Sequence, residues 1–339
     1  MVVYCCVTLD GERYREEGCI YLAVGDRVLG SGLLRPFIAL VLLSFAVVLY
    51  VIGSPLLGHP PFEEACVCIG GPPPESALEG RWAIAILEPE DVGRSELVMV
   101  KNSSSLTLAY LNFGYAEEWR EYWGFINSTG IVHGESPEYE GEYFIEYWSE
   151  EWLNITASLA VDYLSRGFDG VLLDNIDACE AIEGMPWAPP DPCSLMASSV
   201  SELAHRIRSE YPGAAVFVNI GTALELLTNT SFLNEIDGVL REEVWYVWVA
   251  PCESAPTPPS DRQEALHYLE IAKAAGKVVL VADFVDSVVE ASEVCWGAWS
   301  WGFIPVPQPA CDHDYTRPPS YVGCTLSSYV VPRLVIGST

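Results

Sequence analysis

Basic residues are scarce in this sequence. Its 339 residues include 17 Lys and Arg against 47 Asp and Glu, which gives a formal net charge of −30 at pH 7. Binding of nucleic acid requires a basic surface, so this balance excludes DNA and RNA as partners. Two interpretations of the acidity stay open: a cationic or neutral partner, or carboxylates that only keep an exported protein soluble.

Motifs for metals and nucleotide cofactors are also missing. The chain has five His residues and no C-x-x-C pair. We therefore expect no metal, with a cysteine-based site as the alternative. No G-x-G-x-x-G lies between a predicted strand and a helix, so no dinucleotide cofactor is expected. Disorder is excluded because 50% of the residues are hydrophobic and only 19% are charged.

A long apolar run near the N-terminus predicts a membrane anchor at 34–56. Residues 37–52 carry no charge, and only Arg35 interrupts the wider stretch. Basic residues precede the run and the next one is Arg81, so the positive-inside rule places 1–33 in the cytoplasm and the rest outside. An alternative for the first segment is a start codon placed too early. We expect a single-pass membrane protein with an extracellular domain, or a secreted one if the anchor is cleaved.

Cysteines and glycosylation motifs agree with that location. Eight cysteines follow the predicted anchor, an even set that favours disulfides outside the cell: Cys66, Cys68, Cys179, Cys193, Cys252, Cys295, Cys311 and Cys324. The first candidates are the pairs that bracket short loops, Cys179 with Cys193 and Cys311 with Cys324. Four N-x-[ST] sequons predict a glycoprotein: Asn102, Asn127, Asn154 and Asn229.

The rest of the chain divides into a Pro- and Gly-rich stalk at 57–80, a body at 81–310 and a tail at 311–339. The body alternates apolar runs with helical stretches. The runs predicted as strands are 82–87, 96–100, 106–113, 170–173, 214–220, 238–240, 277–284 and 297–306. The predicted helices are 116–123, 149–166, 194–211, 223–227, 262–275 and 287–294. This rhythm predicts an α/β fold, a (β/α)₈ barrel, with an open doubly wound sheet as the alternative.

Two of the predicted strands end in carboxylates. The apolar run Val171–Leu173 stops at Asp174, and the run around Leu240 stops at Glu242 and Glu243. In a barrel both ends lie at the same mouth, and two carboxylates there are the minimum equipment for cleaving a glycosidic bond. Adjacent strand residues face opposite ways, so only one of the two glutamates is expected to face the mouth. The residues alone leave that choice open.

Other residues at the predicted strand ends, and a long loop at 124–148, suit a sugar. Amides and carboxylates bind hydroxyl groups while aromatic rings stack on sugar faces. The loop is dense in Tyr, Trp and Glu, which would favour amino sugars if it walls the cleft; a solvated acidic loop is the alternative. The residues proposed as substrate contacts are Tyr110, Arg120, Asp177, Asn219, Tyr246, Asp283 and Trp301. For Arg120 an ion pair with Glu117 or Glu121 is the alternative.

The motifs resemble the glycoside hydrolases of the endo-α-1,4-polygalactosaminidase type. The resemblance rests on five blocks in the family's order: Ala109–Trp123, Gly141–Trp152, Gly167–Asp177, Asn219 and Asp237–Tyr246. It implies a (β/α)₈ barrel that hydrolyses α-1,4-linked galactosamine-containing polysaccharide.

The resemblance also implies Asp174 and Glu242 as the catalytic pair. One departure is Tyr115, where the family often has glutamate. We expect Asp174 as nucleophile and Glu242 as general acid and then base, since loss of hydration would raise the pKa of Glu242. Asp177 is the alternative holder of the proton.

Two rival functions stay open. Tyr115 in place of a family carboxylate favours a carbohydrate-binding or cell-envelope protein without activity. A metal-dependent polysaccharide deacetylase would use Asp174 and Asp177 as ligands, but none of the five His residues is predicted at a strand end.

Overall fold

The structure is a computed structural model that describes residues 2–11 and 14–23 by their backbone, together with residues 64–316. The N-terminal part is an antiparallel hairpin of two strands, β1 (Val2–Gly11) and β2 (Tyr14–Ala23). It belongs to a compact unit of its own, separate from the unit that contains the barrel. The predicted anchor at 34–56 lies outside the described residues. None of the described helices is both long and apolar enough to cross a membrane.

Residues 64–316 contain strands and helices in alternation. The strands are β3 (Ala65–Cys68), β4 (Trp82–Leu87), β5 (Ser104–Asn112), β6 (Tyr115–Glu117), β7 (Val132–Glu135), β8 (Glu142–Ile145), β9 (Gly170–Asp174), β10 (Ala215–Asn219), β11 (Gly238–Glu242), β12 (Tyr246–Ala250), β13 (Glu253–Pro256), β14 (Val278–Val285) and β15 (Ile304–Pro309). The helices are α1 (Glu75–Glu79), α2 (Arg94–Ser103), α3 (Trp123–Ile126), α4 (Glu150–Arg166), α5 (Ala178–Ala181), α6 (Pro192–Glu210), a 3₁₀ helix (Leu224–Thr228), α7 (Thr230–Glu235), α8 (Pro259–Ala274) and α9 (Val288–Trp301).

Eight parallel strands form the central sheet, in the order β15, β14, β11, β10, β9, β5, β4, β3. The first and last of these strands lie next to each other, so the sheet is nearly closed into a barrel. A helical segment connects each strand to the next along the chain. The architecture is that of a (β/α)₈ barrel, as predicted from the alternation of runs.

Alternate residues of the strands pack in two separate cores, and this alternation determines which side chains at the strand ends point into the barrel. Leu172 and Leu240 belong to the core inside the barrel, whereas Val171 and Leu173 belong to the core between barrel and helices. Because side chains alternate with a period of two, the strand-end residue two positions after each inward leucine also faces inward. The same parity directs a set of polar side chains to the barrel mouth: Asn112, Asp174, Asn219 and Glu242.

Of the apolar runs predicted as strands, one is wholly helical and another is helical in its first half. The run 96–100 lies in α2, where only Leu97 and Val100 are buried, a spacing of three that suits a helix. The run 297–306 contains the end of α9, and β15 begins only at Ile304. This helix ends at Gly302, whose φ of 70° is the left-handed conformation that commonly follows a helix.

Two further segments differ from the sequence prediction. The segment 57–80, predicted as a stalk, contains the first barrel strand Ala65–Cys68, all four residues of which are buried. The segment 116–123, predicted as a helix, begins with β6, because Ala116 pairs with Tyr143 of β8. In both cases pairing with a distant strand overrides the local composition.

The disulfides agree with one predicted pair and correct the other. Cys179 is bonded to Cys193, as predicted. Cys311 is bonded to Cys252, so its predicted pairing with Cys324 is wrong. The two cysteines are 59 residues apart in sequence, and they meet because the loop of the β12–β13 hairpin lies beside the segment that follows β15. Spacing along the chain carries no signal for that contact.

Candidate active site

A cleft with a volume of about 770 Å³ lies at the carboxyl ends of the barrel strands. This size suits a ligand of several sugar units or a comparable small molecule. Ten carboxylates and two arginines line it, so its charge is strongly negative. The carboxylates are Glu88, Glu117, Glu138, Glu142, Asp174, Asp177, Glu180, Glu242, Glu243 and Asp314.

Asp174 and Glu242 share one hydrogen-bond donor at the floor of this cleft. The side-chain amide of Asn219 donates to Asp174 Oδ1 at 2.8 Å and to Glu242 Oε1 at 3.1 Å. The hydroxyl of Tyr110 donates to the other Asp174 oxygen at 2.8 Å. Since both Asn219 bonds start from one nitrogen, the two accepting oxygens are separated by at most the sum of these distances, about 6 Å.

The environments of these two acids differ. Loss of hydration raises the pKa of Glu242 to about 7, and the neighbouring charge of Asp174 raises it further. Burial also raises the pKa of Asp174, but the hydrogen bonds from Tyr110 and Asn219 favour its ionised form and oppose that shift. At neutral pH the pair therefore suits one proton-bearing carboxyl, Glu242, beside one carboxylate.

Glu243, which follows the strand, also lines the cleft. It leaves the strand direction with a φ of 59°, and its side-chain Oε1 accepts the backbone N–H of Trp248 at 2.8 Å. The alternation rule therefore holds only as far as Glu242. Glu243 reaches the cleft because the backbone turns at this residue, and one of its carboxylate oxygens is hydrogen-bonded to strand β12.

Arg120 lies at the cleft, but its guanidinium is committed to protein carboxylates. It donates two parallel bonds to Glu88, at 2.8 and 2.9 Å, and one to Glu117 at 2.6 Å. A fourth contact joins it to Glu90 at 3.0 Å. The predicted alternative, an ion pair with Glu117, is present, and Arg120 offsets acids of the cleft wall.

Glu142 is a second carboxyl with a strongly changed pKa. Burial and the nearby charge of Glu117 raise the pKa of Glu142 to about 8. Its Oε2 is buried and has no hydrogen-bond partner among the described residues, and the same holds for Asn112 Nδ2. The side chain of Asn112 lies close enough to Glu142 to oppose part of the rise in its pKa. Glu142 was not identified from sequence, because it reaches the site through the β6–β8 pairing.

Asp177 faces the cleft beside the loop that follows β10. Its Oδ2 accepts the backbone N–H of Thr222 at 3.0 Å and the Thr222 hydroxyl at 3.3 Å. Gly221 has a φ of 49°, and a Cβ there would lie 1.9 Å from this carboxylate oxygen. The glycine therefore permits the close approach that holds Asp177 in place.

Three residues predicted as substrate contacts lie away from the lining of this cleft. The Tyr246 hydroxyl donates to Glu293 at 2.5 Å. Asp283 is fully buried, and its Oδ1 accepts the backbone N–H groups of Trp245 and Tyr246 at 2.5 and 2.9 Å. Trp301 ends α9 and packs against Phe303. Asp283 points outward because Ala282 and Phe284, on either side of it, fill the interior of the barrel.

Aromatic side chains from outside the barrel strands complete the cleft. Trp119 and Tyr139 come from the segment between β5 and β9 and are 56% and 43% exposed, so part of each side chain is accessible to a ligand. Tyr115 packs between Tyr139 and Phe144 rather than standing free. The segment after β15 adds the ring of Tyr315, which sequence reasoning had left in an unassigned tail.

Fold and site together define a (β/α)₈-barrel protein with an acidic cleft, at the floor of which the carboxyl groups of Asp174 and Glu242 lie close together. The model of glycoside-hydrolase family GH114 matches residues 75–314. The chain belongs to this family, which confirms the resemblance inferred from its motifs.

Solved structures with the same fold include the glycoside hydrolase domain of PelA from Pseudomonas aeruginosa. It is 18% identical, with a TM-score of 0.60, over 74% of this chain and 96% of that domain. Ega3 of Aspergillus fumigatus, solved in complex with galactosamine, is 14% identical, with a TM-score of 0.58, over 75% of this chain and 94% of that one. At identities this low, the structural similarity establishes the shared fold alone.

Curated relatives are uncharacterised proteins. One from Thermotoga maritima is 27% identical over 211 residues, which is 61% of this chain and 64% of the relative. MJ1477 of Methanocaldococcus jannaschii is 27% identical over 203 residues, 58% of this chain and 57% of the relative. The chain thus spans between 57% and 64% of the length of these two proteins.

Proposed function

We propose that this protein is a glycosidase that cleaves within an amino-sugar-containing polysaccharide, of the endo-α-1,4-galactosaminidase type. Membership of family GH114 supports the reaction class. The observation that carries the proposal is the Asn219 amide, which holds the carboxyl groups of Asp174 and Glu242 at one cleft floor. This is the arrangement that glycosidic bond cleavage requires.

The proposed mechanism has two steps. Asp174 attacks the anomeric carbon while Glu242 gives its proton to the leaving oxygen, so the C–O glycosidic bond breaks and a sugar–Asp174 ester forms. Glu242, now ionised, takes a proton from water, which attacks the same carbon and releases Asp174. The pKa of about 7 for Glu242 suits both roles near neutral pH.

The spacing of the pair supports retention of configuration. Retaining enzymes keep their carboxyl groups about 5–5.5 Å apart, whereas inverting ones need about 6.5–9.5 Å to admit a water molecule. The limit of about 6 Å, which applies to the two oxygens that accept from Asn219, favours the shorter range. The separation therefore favours attack on the anomeric carbon by Asp174 over direct attack by a water molecule.

The charge of the cleft supports an amino sugar as substrate. Ten carboxylates face two arginines, and Arg120 is already neutralised by its partners. A protonated amino group on the sugar would offset part of this excess charge. Tyr115 replaces the glutamate that the family often has, but Glu117 and Glu142 supply carboxyls to the same wall. Ega3, with its bound galactosamine, is consistent with this choice.

Release of reducing ends from α-1,4-linked galactosamine polymer tests the proposal. The wild-type protein should release them, and Asp174→Asn should lower kcat by about three orders of magnitude while the circular dichroism spectrum stays unchanged. Glu202→Gln is a matched control, since Glu202 lies in an exposed pair with Arg206 on α6. Binding of the polymer without release of reducing ends would instead support the non-catalytic carbohydrate-binding function.

We further propose an extracellular location with the chain anchored through residues 34–56. The two described disulfides suit an oxidising compartment, and the sequons remain predicted glycosylation sites. Protease added to intact cells should digest the barrel and spare an epitope tag on the N-terminus. Digestion of both only after cell lysis would contradict this location.

A further inference from the structure

The segment that follows the last barrel strand, residues 311–316, reaches back to the cleft. The backbone N–H of Ile69, which directly follows the first barrel strand, donates to the carbonyl of Tyr315 at 3.0 Å. The Cys252–Cys311 disulfide fixes the start of the segment. The segment therefore joins the first and last strands at the mouth, and its position is held at both ends.

This attachment directs the side chain of Tyr315 toward the proposed catalytic pair. The ring is 6% exposed, packs against Phe284 with centroids 5.5 Å apart, and lines the same cleft as Glu242. Burial raises the pKa of Tyr315, and so do the nearby carboxylates of Glu242 and Asp174. A hydrogen-bond interaction with Glu242 contributes to this rise, so the hydroxyl lies beside that carboxyl group, although no hydrogen bond of ordinary geometry joins the two in the free protein.

The hydroxyl oxygen of Tyr315 is enclosed and makes no hydrogen bond of ordinary geometry within the described part of the chain. A buried hydroxyl without a partner costs free energy, so an apolar ring such as Phe would be favoured if packing were the only role. The backbone carries a second cost, because Tyr315 has a φ of 53°. Asn175 and Glu243 also have positive φ values and also line the cleft.

We propose that Tyr315 is a substrate-binding residue whose hydroxyl hydrogen-bonds to a hydroxyl or amino group of the sugar held between Asp174 and Glu242. The proposal rests on the proposed function, because it requires a sugar at that position. Tyr315 lies one residue beyond the part of the chain that the family model matches, 75–314.

The chemistry of the phenol suits either sugar substituent. The hydroxyl donates one hydrogen bond and accepts others, so it can donate to a sugar oxygen or accept from a protonated amine. When the sugar is bound, the hydroxyl gains the partner that it lacks in the free protein. The binding step therefore recovers the cost of the unpaired group, and the gain is lost in a protein without the hydroxyl.

Tyr315→Phe separates this role from a packing role. We expect its kcat/KM on the galactosamine polymer to fall at least about tenfold, equivalent to about 1.4 kcal/mol. Its Tm should equal or exceed that of the wild type, because the substitution removes an unpaired buried hydroxyl. Tyr147→Phe is the matched control: Tyr147 is also buried, but its hydroxyl donates to the Pro192 carbonyl at 2.8 Å. That variant should lose Tm and keep kcat/KM.

Calorimetric titration with a galactosamine oligosaccharide gives a second readout that does not depend on turnover. In a Glu242→Gln background, Tyr315→Phe should raise the Kd at least about tenfold. Unchanged kcat/KM and Kd would overturn the role of Tyr315 and leave the proposed function standing. A fall in Tm as large as that of Tyr147→Phe would also overturn it, since the hydroxyl would then have a partner in the free protein. A wild-type protein that neither binds nor cleaves the sugar would overturn both.

Discussion

Glu242 and Asp283 lie near the carboxyl ends of the neighbouring strands β11 and β14, and loss of hydration raises the pKa of each to about 7. Their directions differ. Glu242 follows the inward parity of Leu240 and faces the cleft, whereas Asp283 lies between two inward residues and faces the helices. A raised pKa therefore does not by itself identify a catalytic acid here. What distinguishes the two acids is the side of the sheet that each one faces: Glu242 faces the cleft, whereas Asp283 faces the helices and binds backbone N–H groups.

The supporting role of Asp283 is visible in its contacts. One oxygen accepts the backbone N–H groups of Trp245 and Tyr246, which begin the loop after Glu242. This carboxyl thus fixes the chain where it leaves β11. Because the two acids are adjacent in space but face opposite sides, substitutions at them should have effects of different kinds.

The largest expected effect is on turnover at Glu242. Glu242→Gln removes the proton that the leaving oxygen needs, so kcat should fall by about three orders of magnitude. Asp283→Asn is the paired control, because its amide oxygen can still accept both backbone N–H groups, and kcat should stay within about threefold. Steady-state kinetics of the two variants side by side checks this. Equal losses of kcat in the two variants would contradict the assignment of a catalytic role to Glu242 and a structural role to Asp283.

The second effect concerns stability at Asp283. Asp283→Ala leaves two buried N–H groups without an acceptor, and the free energy of unfolding should fall by at least about 2 kcal/mol. Urea denaturation measures this change. The kcat of the folded fraction should remain near that of the wild type. If Asp283→Ala were as stable as the wild type, the proposed structural role of Asp283 would be contradicted.

The third effect is a dependence of stability on pH. Glu117, Glu242 and Asp283 have folded-state pKa values of about 7, and Glu142 has one of about 8. Below about pH 4.5 the folded and unfolded states hold these protons equally, so the contribution to stability is fully present there. As the pH rises through 7 to 8 the folded state must release protons that it binds more tightly, and stability falls.

Thermal denaturation between pH 5 and pH 9 measures that dependence. The Tm should decline by several degrees over this interval. The double variant Glu142→Gln, Glu242→Gln should show a shallower decline, because two of the four groups no longer titrate. A Tm that rises with pH in the wild type would contradict the raised pKa values.

The smallest effect is expected at Tyr246, which sequence analysis proposed as a substrate contact. Its hydroxyl bonds to Glu293 away from the cleft. Tyr246→Phe should cost about 1 kcal/mol of stability and leave kcat/KM unchanged. A tenfold rise in KM would show that Tyr246 contacts the substrate after all.

The barrel, and the position of Asp174 and Glu242 at its mouth, could be predicted because the signal is local. Each of β9 and β11 is a short apolar run that stops at a carboxylate, so Asp174 and Glu242 are visible at the ends of their strands. The choice between Glu242 and Glu243 required the resemblance to the glycoside hydrolase family. The sequence alone does not show which of two adjacent strand residues faces into the barrel. The structure supplies that parity through the packing of Leu240 inside the barrel.

The errors have physical causes. Strand β14 is apolar on both faces, so the sequence contains no alternation that would show Asp283 facing outward. The run that ends at Trp301 is equally apolar as helix or strand, and the Ser287 cap with the left-handed Gly302 decides for helix. Glu142 reaches the cleft only through antiparallel pairing in the long segment between β5 and β9. No periodic pattern indicates that contact.

The anomeric configuration of the first product tests the central claim most directly, that Asn219 holds Asp174 and Glu242 at the separation of a nucleophile and its acid. Proton NMR can follow the first minutes of hydrolysis of an α-1,4-linked galactosamine oligosaccharide, before mutarotation mixes the anomers. The account predicts that the α-anomer forms first. Initial formation of the β-anomer would contradict it, because a water molecule, and not Asp174, would then have attacked the sugar.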